Sequence, residues 1–312
     1  ITDGALTKTA SVPVGMEPVS VVARNNGEAW VVNFLSDSVS VVDLTATPPQ
    51  VVRTLLVGDE PRDIQFAGTG TIDRAFITTA HRGQHREHPS IAAVPGAGDP
   101  GLLTPSIPRL DVWVFDAKNP GSSVGGNPIE ILSFFSDSPR PLAVTPDRTT
   151  VYVAALFSGN QTAVIGAGQV QGNAPGPSDD ADGVPRPSVG AIVKLYGSAW
   201  LDADGTDWSS FVNYDLPDLD VFAFNANTLD TVAEYKGVGT INFNMAINPV
   251  TNNVYVSNTD AHNEIIFEGP GIHGGSTVQG QASKTRITVI NPANGGVSPK
   301  HLNQHIDYSM LH

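Results

Sequence analysis

The chain has 312 residues, of which 40% are hydrophobic and only 15% charged, with 31 glycines, 24 prolines and no cysteine. Its formal charge of −14 at pH 7 repels phosphate backbones and anionic headgroups, which argues against a nucleic-acid partner. Without cysteine there is no disulfide framework, thiolate metal site, thiol nucleophile or c-type haem attachment within these residues.

No apolar run reaches the ~20 residues a membrane-spanning helix needs, so no membrane span is expected. The chain opens on Ile1 with no basic, apolar-cored leader, which predicts a mature or trimmed chain. High Gly and Pro with few charges suit many short strands joined by tight turns.

Taken in chain order, the strands recur in units. The first, over about 14–57, opens at Val14-Gly15-Met16-Glu17-Pro18-Val19 and continues through Ala29–Asn33, Val39–Asp43 and Val51–Val57. The second, about 58–135, opens at Gly58-Asp59-Glu60-Pro61-Arg62, with strands near Ala75–Thr79, Asp111–Phe115 and Ile129–Leu132. The third, about 136–236, opens at Ser138-Pro139-Arg140-Pro141, with strands near Val151–Ala154, Asp220–Phe224 and Thr231–Tyr235. The fourth, about 237–304, runs from Ile241 through Asn253–Asn258 and Arg286–Ile290 to a weaker strand near Val297. β-Branched and aromatic runs punctuated by Gly, Pro, Asn and Asp predict an all-β chain of four-stranded antiparallel units. Asp43, Asp116, Asn225 and Asn291 close the third strand of each unit and read as Asx turns.

Trp30-Val31-Val32-Asn33 followed by Ser38-Val39-Ser40-Val41-Val42-Asp43, and again Asn253-Val254-Tyr255-Val256-Ser257-Asn258, resemble the YVTN repeat of bacterial and archaeal surface-layer and periplasmic β-propellers. The resemblance implies a β-propeller of four-stranded blades, in a ring of about seven, in a protein of the periplasm, extracellular space or cell surface. Four units are recognisable here, so either the ring closes with four blades or the residues belong to a longer protein. Asp218–Phe222 and Asn263–Phe267 resemble segments of long bacterial propeller proteins whose later portion binds haem; this chain itself carries no covalent haem.

Three insertions, roughly 80–108, 156–217 and 259–284, all interrupt the connection between the second and third strands of a unit. In an up-and-down blade these connections share one face, so one face is decorated and the other trimmed. Long loops on a rigid scaffold are where binding concentrates. His81, His85 and His88 lie in the first insertion and His262 and His273 in the last, with His301 and His305 at the end of the fourth unit. Imidazoles gathered on one face are candidate transition-metal ligands, and His81, His85, His88 and His262 are the set considered for that role.

Asp202-Ala203-Asp204-Gly205-Thr206-Asp207 places carboxylates at alternate positions around a glycine, a pattern that can surround Ca²⁺ with hard oxygens, so Asp202, Asp204 and Asp207 are candidate calcium ligands. Asp180-Ala181-Asp182-Gly183 is a shorter echo. Gly-x-Ser-x-Gly, a phosphate-cradling loop and a metalloprotease helix are all missing from the sequence. The pattern therefore predicts a binding or scaffolding module. Its partner is a protein or surface polymer on the decorated face, and self-association or completion of the ring by further residues is a second route to assembly. The competing reading is a propeller hydrolase of the lactonase kind using a divalent metal, or a redox protein relying on a separate haem portion.

Overall fold

The computed structural model describes residues 7–175, 183–185, 188–213, 217–264 and 283–306. The first sheet is an antiparallel meander of β1 (Pro18–Asn25), β2 (Glu28–Asn33), β3 (Ser38–Asp43) and β4 (Gln50–Leu56). The second repeats it with β5 (Ile64–Ala67), β6 (Arg74–Ala80), β7 (Leu110–Asp116) and β8 (Glu130–Phe134). The third begins with β9 (Asp137–Val144) and β10 (Thr150–Phe157).

The chain then leaves the sheet for β11 (Thr162–Ile165), α1 (Ala167–Val170), β12 (Ala191–Tyr196) and β13 (Ala199–Leu201), and returns to finish the third sheet with β14 (Val221–Asn225) and β15 (Thr231–Tyr235). The fourth comprises β16 (Ile241–Ile247), β17 (Val254–Ala261), β18 (Ser283–Asn291) and β19 (Gly296–His301). A bridge from Phe157 to Ile241 fuses the third and fourth meanders into one eight-stranded sheet. Helix among the described residues is confined to α1 and single 3-10 turns, all within the insertions. No helix there is long and apolar enough to cross a membrane.

The meanders stack face to face, and the period of two along each strand explains how. In β7, Trp113 and Phe115 pack with Trp30, Val32, Val41 and Leu55 of the first sheet, while Val112 and Val114 pack with Val151, Val153 and Phe222 of the third. A third layer joins Tyr152, Val221 and Ala223 to Met245, Val254, Val256 and Ile290 of the fourth. Strands buried on both faces read as near-continuous apolar runs, as Leu110–Phe115 does. Each fully buried Trp, Phe or Ile contributes roughly 1.5–3 kcal/mol, so these layers hold the stack together.

The strands that open the meanders are neighbours: β1 touches β5, β5 touches β9 and β9 touches β16. The stack thus turns about those strands. At its ends, Val21 of the first sheet and Tyr255 of the fourth are exposed.

Two details differ from expectation. β1 starts at Pro18 rather than Val14, because Glu17 has a left-handed backbone with φ 54° that no strand residue adopts. The insertion after β10 is not a bare loop, since β11–β13 form a small sheet over a core of Ile165, Val170, Val193, Trp200 and Trp208.

Candidate functional site

The edge that bears the insertions is organised by Asp111, the second residue of β7, whose side chain is fully buried. Its Oδ1 lies 2.7 Å from His81 Nδ1 and accepts the Ser133 hydroxyl at 2.7 Å, and its Oδ2 accepts from Arg86 Nη1. Arg86 Nη2 donates to the carbonyl of Gly96 at 2.8 Å, and His81 Nε2 lies 3.1 Å from the carbonyl of Pro100. One carboxylate in the second sheet thereby ties down both the start and the return of the first insertion. Burial raises the stakes, because a carboxylate taken from water persists only when paired and hydrogen-bonded.

A Ser–His–Asp relay needs imidazole between hydroxyl and carboxylate. Here the carboxylate sits between the other two, with Ser133 Oγ 3.4 Å from His81 Nδ1, so the cluster fastens the loop and has no nucleophile arrangement.

Fastened in this way, the insertion overhangs the end of the first sheet and encloses a cleft of about 690 Å³. Leu56 and Val57 from the end of β4 and Ser36 and Asp37 from the β2–β3 turn form one wall; Arg82, His85, Glu87 and His88 form the other. Arg82 pairs with Asp59 at 3.2 Å and with Glu60 at 2.8 Å. The insertion reaches this position through Gly83, at φ 120°, where any side chain would strike the backbone nitrogen of Asp59. His85 stacks on Trp113 and His88, with centroids 5.8 and 5.4 Å away, and its buried Nε2 has no partner. Burial, with His88 adding to it, pushes the His85 imidazole down to about 4, so it is neutral at neutral pH. Burial also raises the Asp37 carboxyl. The cleft combines the apolar Leu56, Val57, Pro100 and Leu102 with an imidazole pair and charged side chains of both signs, a mixture that can orient a bound ligand.

The four candidate histidines are placed unequally. His81 and His262 both directly follow the second strand of their meanders, hence leave from the same edge. Both ring nitrogens of His81 face oxygen acceptors, and His88 Nδ1 accepts from Ser90 N at 3.2 Å. His262 belongs to the fourth sheet, where burial and Lys284 lower its pKa.

In the acidic loop, Asp202 is buried. Its Oδ1 accepts from the backbone nitrogens of Asp204 and Thr206, and its Oδ2 accepts from Trp208 Nε1 at 2.8 Å. Asp207 accepts from the backbone nitrogen and hydroxyl of Ser209, which holds its carboxyl below the usual range. Among the described residues no three His, Asp or Glu side chains are arranged to share an ion. Asp180 and Asp182, with His273, lie outside the described residues.

Sequence reasoning missed Asp111, Arg86 and Ser133 as the organising group. The available signal was a carboxylate between apolar residues at the start of a third strand, repeated as Leu110-Asp111-Val112 and Leu219-Asp220-Val221.

No family model matches the chain, and no curated protein matches it. Among solved structures it is similar to hydrazine synthase of Kuenenia stuttgartiensis, with a TM-score of 0.51 and 15% identity over 91% of this chain. The chain spans 54% of the length of that one. Identity this low carries the all-β fold and nothing about chemistry.

Proposed function

We propose that the four meanders are consecutive blades of a β-propeller of the YVTN-repeat kind, in a protein of the periplasm, extracellular space or cell surface. Its insertion-bearing edge binds a ligand or a partner without catalysing a reaction. The observation that carries the binding role is the cleft of about 690 Å³ between the first insertion and the end of the first sheet. Its rim is held by the buried Asp111–Arg86 pair, and preorganisation of this kind lowers the entropic cost of binding.

Two observations support the ring. The opening strands adjoin one another in order, and the end sheets leave Val21 and Tyr255 exposed, as blades awaiting neighbours would.

The test is thermal-shift screening of surface glycans and peptides against the purified chain and against Glu87→Gln and His88→Ala variants. Ligands whose stabilisation disappears in the variants support the cleft. Ligands that shift all three proteins equally contradict it.

A further inference from the structure

The inner side of the stack holds a second cavity, of about 480 Å³, to which every meander contributes: Val19 and Ser20 from the first, Arg62 and Asp63 from the second, Arg140 and Pro141 from the third, and Phe243 and Asn244 from the fourth. A smaller one of about 240 Å³, reaching toward the insertion-bearing edge, shares Arg62 and Arg140. Val19, Arg62 and Arg140 are equivalent positions. Each follows a proline preceded by a residue of positive φ, Glu17 at 54°, Glu60 at 54° and Ser138 at 51°. The same turn therefore delivers two guanidiniums from adjacent meanders to one place.

Their backbones are pinned together by Thr78, whose carbonyl accepts from Arg62 N at 3.0 Å and whose hydroxyl donates to the carbonyl of Arg140 at 3.2 Å.

Of the carboxylates nearby, two are hydrogen-bonded or paired elsewhere, while Glu17 and Glu60 act on Arg62 through space without an ion pair. Asp63 accepts from Ser20 Oγ, Ile64 N and Leu142 N, each at 2.8 Å, and Glu60 pairs with Arg82. Among the described residues neither Arg62 nor Arg140 has an ion-pair partner within 4.0 Å. Arg140 Nε is buried with no hydrogen-bond partner. Arg62 lies over the ring of Phe34 at 3.8 Å, and burial together with Arg140 holds its pKa below the ordinary range. In a chain of net charge −14, two arginines that line one cavity without a paired carboxylate can form a local anion trap.

We propose that the inner cavity binds a small-molecule oxyanion, a carboxylate or a phosphate, between Arg62 and Arg140. Fork-shaped guanidiniums match both groups bidentately. The surrounding negative charge disfavours an extended polyanion, which restricts the ligand to a small molecule. This site is separate from the cleft beside His85 and stands or falls independently of it.

The experiment is calorimetric titration of the purified chain with inorganic phosphate and, separately, with citrate, at constant ionic strength in chloride. Melting curves are taken in each salt. One saturable site is expected, with a raised Tm in the binding anion, and the stronger of the two arms identifies the headgroup. Arg62→Gln and Arg140→Gln should each weaken binding roughly tenfold or more, and the pair together should abolish it. In chloride these variants should melt at or above the parent, since like-charge repulsion is relieved. Arg148→Gln, which breaks an exposed pair with Asp73, should bind as the parent does. Absence of saturable binding and of any Tm response to both anions overturns the proposal, as does binding that survives in the double variant. Should the variants fail to fold, the parent's response in phosphate and citrate still decides.

Discussion

Asp111 and Asp220 occupy the same place in consecutive sheets, each following a leucine where the third strand begins, at the edge where insertions leave. Both side chains are fully buried. Asp111 faces His81, Arg86 and Ser133. Asp220 accepts from the backbone nitrogen of Val238 at 2.6 Å, has Asp218 for a neighbour, and leaves Oδ1 without a partner.

The registers of β6 with β7 and β10 with β14 explain the difference, because the position that His81 fills in the second sheet is filled by Phe157 in the third. Phe157 cannot donate a hydrogen bond, and its backbone instead bridges to the fourth sheet. The first insertion returns Arg86 and the His81 imidazole to the carboxylate. At the second no cation among the described residues meets the carboxylate, the Ser158 hydroxyl and the Val238 and Gly239 nitrogens only partly offset its desolvation, and burial, reinforced by Asp218, pushes it up to about 7. One strand motif thus serves as a charged fastening in one sheet and, in the next, as an acid whose ionisation is delayed to about pH 7.

The largest effect should come from breaking the charged version. Arg86→Ala leaves the Asp111 carboxylate buried without its guanidinium partner, and should cost about 3–5 kcal/mol in urea unfolding. A loss below ~1 kcal/mol would mean that water reaches the site.

Asp220→Asn sharpens the contrast through pH. A carboxyl whose folded pKa is raised keeps a proton that the unfolded chain has released, so its stabilisation is present at low pH and lost as pH rises from the ordinary carboxylate range to about 7. The parent should lose stability relative to the Asn variant across that window, by on the order of 1.4 kcal/mol per pH unit. Parallel curves for the two proteins would contradict the assignment.

His85→Leu should tilt the other way. The imidazole, pushed down to about 4, stays neutral in the fold while the unfolded chain takes up a proton below its ordinary value near 6.5. The parent therefore loses roughly 1–3 kcal/mol as pH falls through that interval, and the Leu variant does not. Titration of unfolding midpoints checks both slopes together.

The stack was legible from sequence because residues such as Leu110–Phe115 alternate between two apolar layers and leave long uninterrupted runs. The turns before Arg62 and Arg140 were visible as repeated Pro-Arg pairs. The small sheet β11–β13 was not, since its strands are short and Val164 and Ile192 point to solvent. Nor was the Asp111 cluster, whose partners lie 25 and 30 residues away, so that only the strand register brings them together.

A smaller, local effect belongs to the second insertion. Asp202→Ala removes the acceptor of Trp208 Nε1 and two turn nitrogens, and should open residues 188–213 to protease at a cost of about 1–2 kcal/mol to that unit while the main sheets stay protected. The same digestion with a chelator tests calcium at Asp202, Asp204 and Asp207: an ion-dependent loop opens on chelation, whereas one held by these hydrogen bonds alone keeps its protection.

The most direct measurement is amide hydrogen exchange on the parent and on Asp111→Asn, well below the unfolding transition. If Asp111 fastens the insertion that builds the cleft, exchange should accelerate across residues 81–102 while β6 and β7 retain their protection. Unchanged exchange over 81–102, or an equal loss across the whole second sheet, would contradict the account.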